Sequence, residues 1–157
     1  MDNSNKLPAG ILEILRRPMP AEALSQVPGG AKLTSIKSMY VIERLNQAFG
    51  IGRWSLDHEV IEATESEIVV GGKLHLIDYP ECQFPATYGG MKGRGSTERG
   101  DMYKGAVTAC IGKAASFLEI GIDVFKGKVK APSGGGYSQP YKPAAKEPPK
   151  EQPMSLD

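Results

Sequence analysis

The run from Thr97 to Gly121 constrains the fold of this chain most. On a helical wheel Tyr103, Ala106, Val107, Cys110, Ile111, Ala114, Phe117 and Leu118 fall on one apolar arc. Asp101 suits the N-cap and Gly121 the stop, which predicts a helix roughly 30 Å long. The opposite face carries Gly105, Thr108, Ala109, Gly112 and Ser116, bordered by Lys104 and Lys113. A solvated face would carry long charged side chains. Small residues instead let another surface approach the backbone, and flanking lysines suit a phosphate. Either this helix is packed on both sides within its own domain, or its bare face is a contact surface.

The rest of the chain supplies what the arc needs to pack against. Ile11, Leu12 and Leu15 have helical spacing, and Pro18 and Pro20 end that short helix. Ala21 to Val27 reads as a second helical piece, broken by Pro28, Gly29 and Gly30, and Lys32 to Lys37 as a short extended segment. Residues 38–49 form an amphipathic helix with Val41, Ile42, Leu45, Ala48 and Phe49 inward and Gly50 as its stop. Three strands are expected next, over Trp54–Ala63, Glu67–Ile77 and Gln83–Tyr88. The Gly71-Gly72 pair predicts a bulge or bend, and residues 89–95 a glycine-rich loop suited to phosphate backbone or to a plain crossover. The sum is an α+β domain, an antiparallel three-stranded β-meander packed on a long helix and preceded by short helices. Its bounds are 10–130, between a disordered N-terminus (1–9) and a disordered tail (131–157) rich in glycine, proline, lysine and glutamate. The tail ends in Pro153-Met154-Ser155-Leu156-Asp157, which suits either a short docking peptide or a plain tail.

Three blocks together resemble a known family. Gly29-Gly30-Ala31-Lys32 lies upstream of Tyr40 to Gly50, with Asn46, Phe49 and Gly50 followed by Trp54. Tyr88-Gly89-Gly90 closes the third strand, and Lys104 to Ala109 opens the core of the long helix. Ile14 to Pro20 adds an opening like that of short phage forms. This combination, over residues 10–125, resembles the Rad fifty-two family of single-strand annealing proteins, including its phage and bacterial relatives. The resemblance implies side-by-side assembly into an oligomeric ring, with single-stranded DNA in a groove, backbone inward and bases exposed. It implies ATP-independent annealing of complementary strands in recombination and repair, with no catalytic residue, metal or cofactor. A single-strand-binding protein or recombinase is an expected partner for the tail.

Set against the family's basic positions on the long helix, this chain has Gly112, Lys113 and Ser116, and a family arginine before the glycine pair falls near Ser25. Only Lys113 is kept. Lys104, Lys32, Lys37, Arg53, Lys92, Arg94 and Arg99 are the cations expected to complete the DNA-binding set. Tyr40, Trp54, Tyr88 and Tyr103 are candidates for base stacking, with a core role preferred for Tyr40 and Trp54.

Other classes fit less well. A net charge of +1 gives no global basic field, so nucleic-acid binding must use local clusters. A double-stranded RNA-binding module shares the helix–three strands–helix order but needs lysines at the start of the last helix, where Glu98, Arg99, Gly100 and Asp101 stand. An enzyme built on His58, His75, Asp57 and Glu59 is disfavoured, because strand alternation parts Asp57 and Glu59 from His58. Cys82 and Cys110 match no zinc spacing with these histidines and are expected to be buried free thiols. With no secretory h-region and no run of 18 apolar residues, the chain is expected to be a soluble intracellular protein without a membrane partner, in the host cytoplasm if phage-encoded.

Overall fold

The structure is a computed structural model describing residues 7–27 and 33–131. Lys32, residues 1–6 and the tail from 132 onward lie outside the described residues. Strand β3 (Trp54–Ala63) turns at Glu65 and Ser66 into β4 (Glu67–Leu76), which pairs on its other side with β5 (Thr87–Lys92), all antiparallel. Along β4 the alternation is clean, with Ile68, Val70, Leu74 and Leu76 all buried. Helix α3 (Arg99–Ser116) lies across β5 and β4 and buries Met102, Ala106, Cys110, Ala114 and Ala115. The expected α+β meander on a long helix is present.

Glycine sets how closely helix and sheet approach. A Cβ at Gly89 would run into Ala106 O and Cys110 N and stand 2.8 Å from Ala109 C, all helix backbone. A Cβ at Gly72 would stand 2.8 Å from Cys110 Sγ. The Gly71-Gly72 pair therefore sits in regular register, opposite Glu59 and His58, and the one irregularity between β3 and β4 lies at Val60 and Glu62. The third strand is shifted from its expected position. Residues 82–86 have no regular structure, whereas Gly89, Gly90, Met91 and Lys92, expected as loop, pair with Val70, Val69, Ile68 and Glu67. Glycine's weak strand preference concealed a segment that pairing and close approach make a strand.

The N-terminal half covers the end of α3. Helix α1 (Ala9–Arg16) and helix α2 (Ser38–Phe49) contribute Leu15, Val41, Leu45 and Phe49 to a core with Leu74, Leu76, Leu118 and Ile120. Gly50, at φ 96°, ends α2 with its N–H on Asn46 O at 2.8 Å. Arg44 is buried and caps the C-terminus of α1: Nη1 donates to Ile14 O (3.2 Å) and Arg17 O (2.5 Å), and Nη2 to Pro18 O (3.3 Å). Burial, then the charge of Arg17, lowers its pKa, while Glu43 opposes the shift.

The second expected helical piece is instead a 3₁₀ turn, Ala21–Ala23, running into strand β1 (Leu24–Gln26), which pairs with β2 (Thr34–Ile36) as an antiparallel hairpin. So short a helix is marginal alone, and strand pairing prevails. At the other end, α3 starts after Glu98, with Asp101 in its first turn rather than at the cap. A left-handed Glu119 (φ 65°) and Gly121 (φ 69°) separate α3 from a short α4 (Ile122–Phe125).

Candidate nucleic-acid interface

Among the described residues the bare face of α3 is left uncovered. Gly105, Thr108, Ala109 and Gly112 form one wall of an open groove of about 1000 Å³, continued by Tyr88, Gly89, Gly90 and Met91 of β5. The facing wall is the β1–β2 hairpin, through Ser25, Thr34 and Ser35, and the start of α2, through Ser38, Met39 and Tyr40. Phe125 lines it as well. Small residues on α3 keep this space open. A Cβ at Gly112 would meet nothing within 4 Å, whereas Gly105 is filled from below by Met91, whose Cγ would lie 2.9 Å from an added Cβ.

Two of the expected cations line the groove. Lys113 is exposed in the last turn of α3, and Lys37 sits at the N-cap of α2 with Nζ donating to Glu22 O at 2.7 Å. Neither has a carboxylate within ion-pair distance among the described residues. Ser25 and Gly112, at or near positions where the resemblance led to an expectation of cations, line the same groove as Lys113. Ser116 does not, and its hydroxyl donates back to Lys113 O at 2.6 Å.

The other expected cations that are described do not line the groove. Lys104 pairs with Asp101 at 3.1 Å. Arg53 grips Asp78 with both ends of its guanidinium, Nε to Oδ2 at 2.9 Å and Nη2 to Oδ1. Their hydrogen bond raises the Arg53 pKa and holds the Asp78 carboxyl below its usual range. Arg99 straps the β3–β4 turn by donating to Thr64 O at 2.5 Å and lies over the Tyr103 ring at 5.7 Å. Lys92 and Arg94 are exposed where β5 leaves the sheet, outside the groove. Lys32 lies outside the described residues.

Of the aromatics, Trp54 is half-buried against the core, with Nε1 donating to Asn46 Oδ1 at 2.8 Å. Tyr40, expected inside, lines the groove, and so does the exposed Tyr88. Phe125, Met39 and Met91 were not legible as groove residues. They come from a four-residue helix, a helix start and a glycine-rich strand that sequence periodicity does not bring together.

The polar face of the sheet carries a contact that strand alternation within β3 alone does not reveal. Asp57 Oδ2 lies 3.1 Å from His75 Nε2 on the neighbouring strand, both well exposed and outside the groove. Among the described residues no three His, Cys, Asp or Glu side chains could together hold a metal ion. Cys110 is a buried free thiol with Sγ 3.8 Å from Thr87 O, and burial pushes its pKa up. Cys82 is only half-buried, and its pKa is raised by burial and then by Glu81. No helix among the described residues is long and apolar enough to cross a membrane. The chain matches no protein-family model and no curated protein sequence.

Proposed function

We propose that this protein binds single-stranded DNA in the groove between α3 and the β1–β2 hairpin and anneals complementary strands without ATP, in recombination or repair of the phage type. The observation that carries this reading is the small-residue wall of α3, which the described residues leave uncovered, in a groove also lined by Lys113 and Lys37 with no carboxylate among the described residues within ion-pair distance of either. Annealing needs cations that neutralise phosphates and leave base edges free to pair. A wall of Gly105, Thr108, Ala109 and Gly112 admits a sugar–phosphate backbone closely, and Tyr40 and Tyr88 offer ring faces to bases. Two groove cations per chain bind weakly, so assembly into a ring, each subunit adding its groove to a continuous path, supplies the avidity. The tail remains the candidate contact for a single-strand-binding protein or recombinase.

The test is binding of the full chain to an oligothymidylate in competition with duplex RNA, with particle mass measured by light scattering. The expected result is a multimer that prefers the single strand and loses affinity as salt rises. A monomer with no affinity for the oligothymidylate at about 50 mM salt overturns the reading. Preference for duplex RNA selects the RNA-binding alternative, against which Arg99 and Lys104 at the start of α3 are already engaged with Thr64 and Asp101. Gly112 provides a finer probe. Since open space lies above it, Gly112→Lys should tighten binding several-fold and Gly112→Asp weaken it.

A further inference from the structure

The groove has an approach that the expected cation set omits. Phe125 lines the groove, and six residues later Ala131 is buried beside Leu24, with its N–H donating to Thr34 Oγ1 at 3.0 Å. Thr34 is itself part of the groove wall. The segment between these two anchors carries Lys126, Lys128 and Lys130, all exposed. Its backbone is tied down at both ends. Gly127, at φ 71°, donates to Val124 O at 2.9 Å, and Lys128 N–H donates to Asp123 O at 2.9 Å. Between the lysines, Val129 turns to a crevice shared with Pro18, Met19 and Val124.

Carboxylate pairing separates this strap from three of the other basic residues. Among the described residues Arg16, Arg53 and Lys104 each face a carboxylate, at Glu119, Asp78 and Asp101, whereas none of the three strap lysines does. These three exposed lysines lie within a five-residue span and have no carboxylate partner among the described residues, and they add to the charge of Lys113 and Lys37.

Resting on the reading of the groove as a single-strand site, we infer that Lys126, Lys128 and Lys130 form a phosphate track that continues the groove and holds the strand's backbone where it enters or leaves. The track adds affinity without sequence preference, because phosphate contacts carry no base information. It also accounts for how a chain lacking cations at Gly112 and Ser116 holds a polyanion: the charge has moved from the helix to the strap beside it.

The experiment compares the full chain with two triple variants that remove equal charge, K126Q/K128Q/K130Q in the strap and K142Q/K146Q/K150Q in the tail. Affinity for an oligothymidylate is measured between about 50 and 200 mM salt. If the strap holds three phosphates, its variant lowers the slope of log affinity against log salt by about 2 and the affinity roughly 10- to 100-fold. The tail variant leaves the slope in place. Thermal unfolding at an unchanged midpoint shows that the exposed lysines were not holding the fold. A strap variant that binds like the parent overturns the track and leaves the groove reading standing. Equal losses in both triples make the effect one of net charge and also overturn it. A parent chain that does not bind at all overturns the groove reading and the track together.

Discussion

Gly89 and Gly112 belong to the same groove wall and answer opposite physical demands. At Gly89 any side chain collides with the backbone of α3, which cannot yield as a side chain can. Gly89→Ala should therefore cost about 1–3 kcal/mol or more in urea unfolding. At Gly112 nothing stands within 4 Å, so Gly112→Ala should be stabilising by about 0.5–1 kcal/mol through helix propensity alone. Both are glycines in one sequence, and only the packing partner tells them apart.

Arg44 shows the same dependence on surroundings. It stands on the inward stripe of α2 with Val41, Leu45 and Ala48, and a charged residue is accommodated there because the carbonyls of Ile14, Arg17 and Pro18 converge on it. Arg44→Lys keeps the charge and loses the planar fork, so it should destabilise the fold by about 1–3 kcal/mol. Cys110 should resist thiol reagents at pH 8 until denaturant opens the helix–sheet contact, while the half-buried Cys82 reacts in the native protein. Equal labelling rates for the two would contradict the packing under Gly72.

Asp78 gives a pH signature at the same scale. Its carboxyl is held below the usual range by the hydrogen bond from Arg53, so folding is favoured by the ionised form. That contribution is complete above the unfolded-state value of about 3.9 and is lost as pH falls through the lower folded value. The melting-temperature gap between the parent and Asp78→Asn should therefore be present at neutral pH and close on acidification through that window. Because the pair is exposed, the gap should be small and should shrink in high salt.

At the scale of elements, α2 and β3 were legible to the residue, and β1 and β5 were not. The 38–49 helix and the Trp54–Ala63 strand announce themselves through periodicity and a glycine stop. Strand β5 has glycines at two of its six positions and exists because β4 supplies hydrogen-bond partners and α3 needs room. Strand β1 exists because β2 pairs with it. The junction between α3 and α4 is also an element-scale matter. Glu119 holds a left-handed conformation that glycine adopts without strain, and its Oε2 lies 2.5 Å from Arg16 Nε of α1. Glu119→Gly relieves about 1 kcal/mol of backbone strain and loses a partly exposed ion pair of about 0–1 kcal/mol. It should be neutral to mildly stabilising, whereas Glu119→Gln, which keeps the strain and loses the charge, should be neutral to mildly destabilising. Differential scanning calorimetry of the pair separates the two contributions.

At the scale of the molecule, the sequence alone determined the class of the fold and the oddity of its longest helix. Hydrophobic periodicity fixes which face of each amphipathic element must be buried, since any alternative exposes a full apolar stripe, and that logic is local. It also showed that α3 has a small-residue face bordered by Lys113. Only the tertiary structure decided what stands opposite that face. The hairpin, the start of α2 and Phe125 come from three separate stretches, and their convergence depends on how α1 and α2 pack over the end of α3. The same arrangement decided which cations keep their charge available. Arg53, Arg99 and Lys104 look equivalent to Lys113 in the sequence, but each is engaged by a carboxylate, a carbonyl or a ring brought near by folding. Charge type is written residue by residue, while neutralisation depends on distance, and distance is set only when the chain closes on itself.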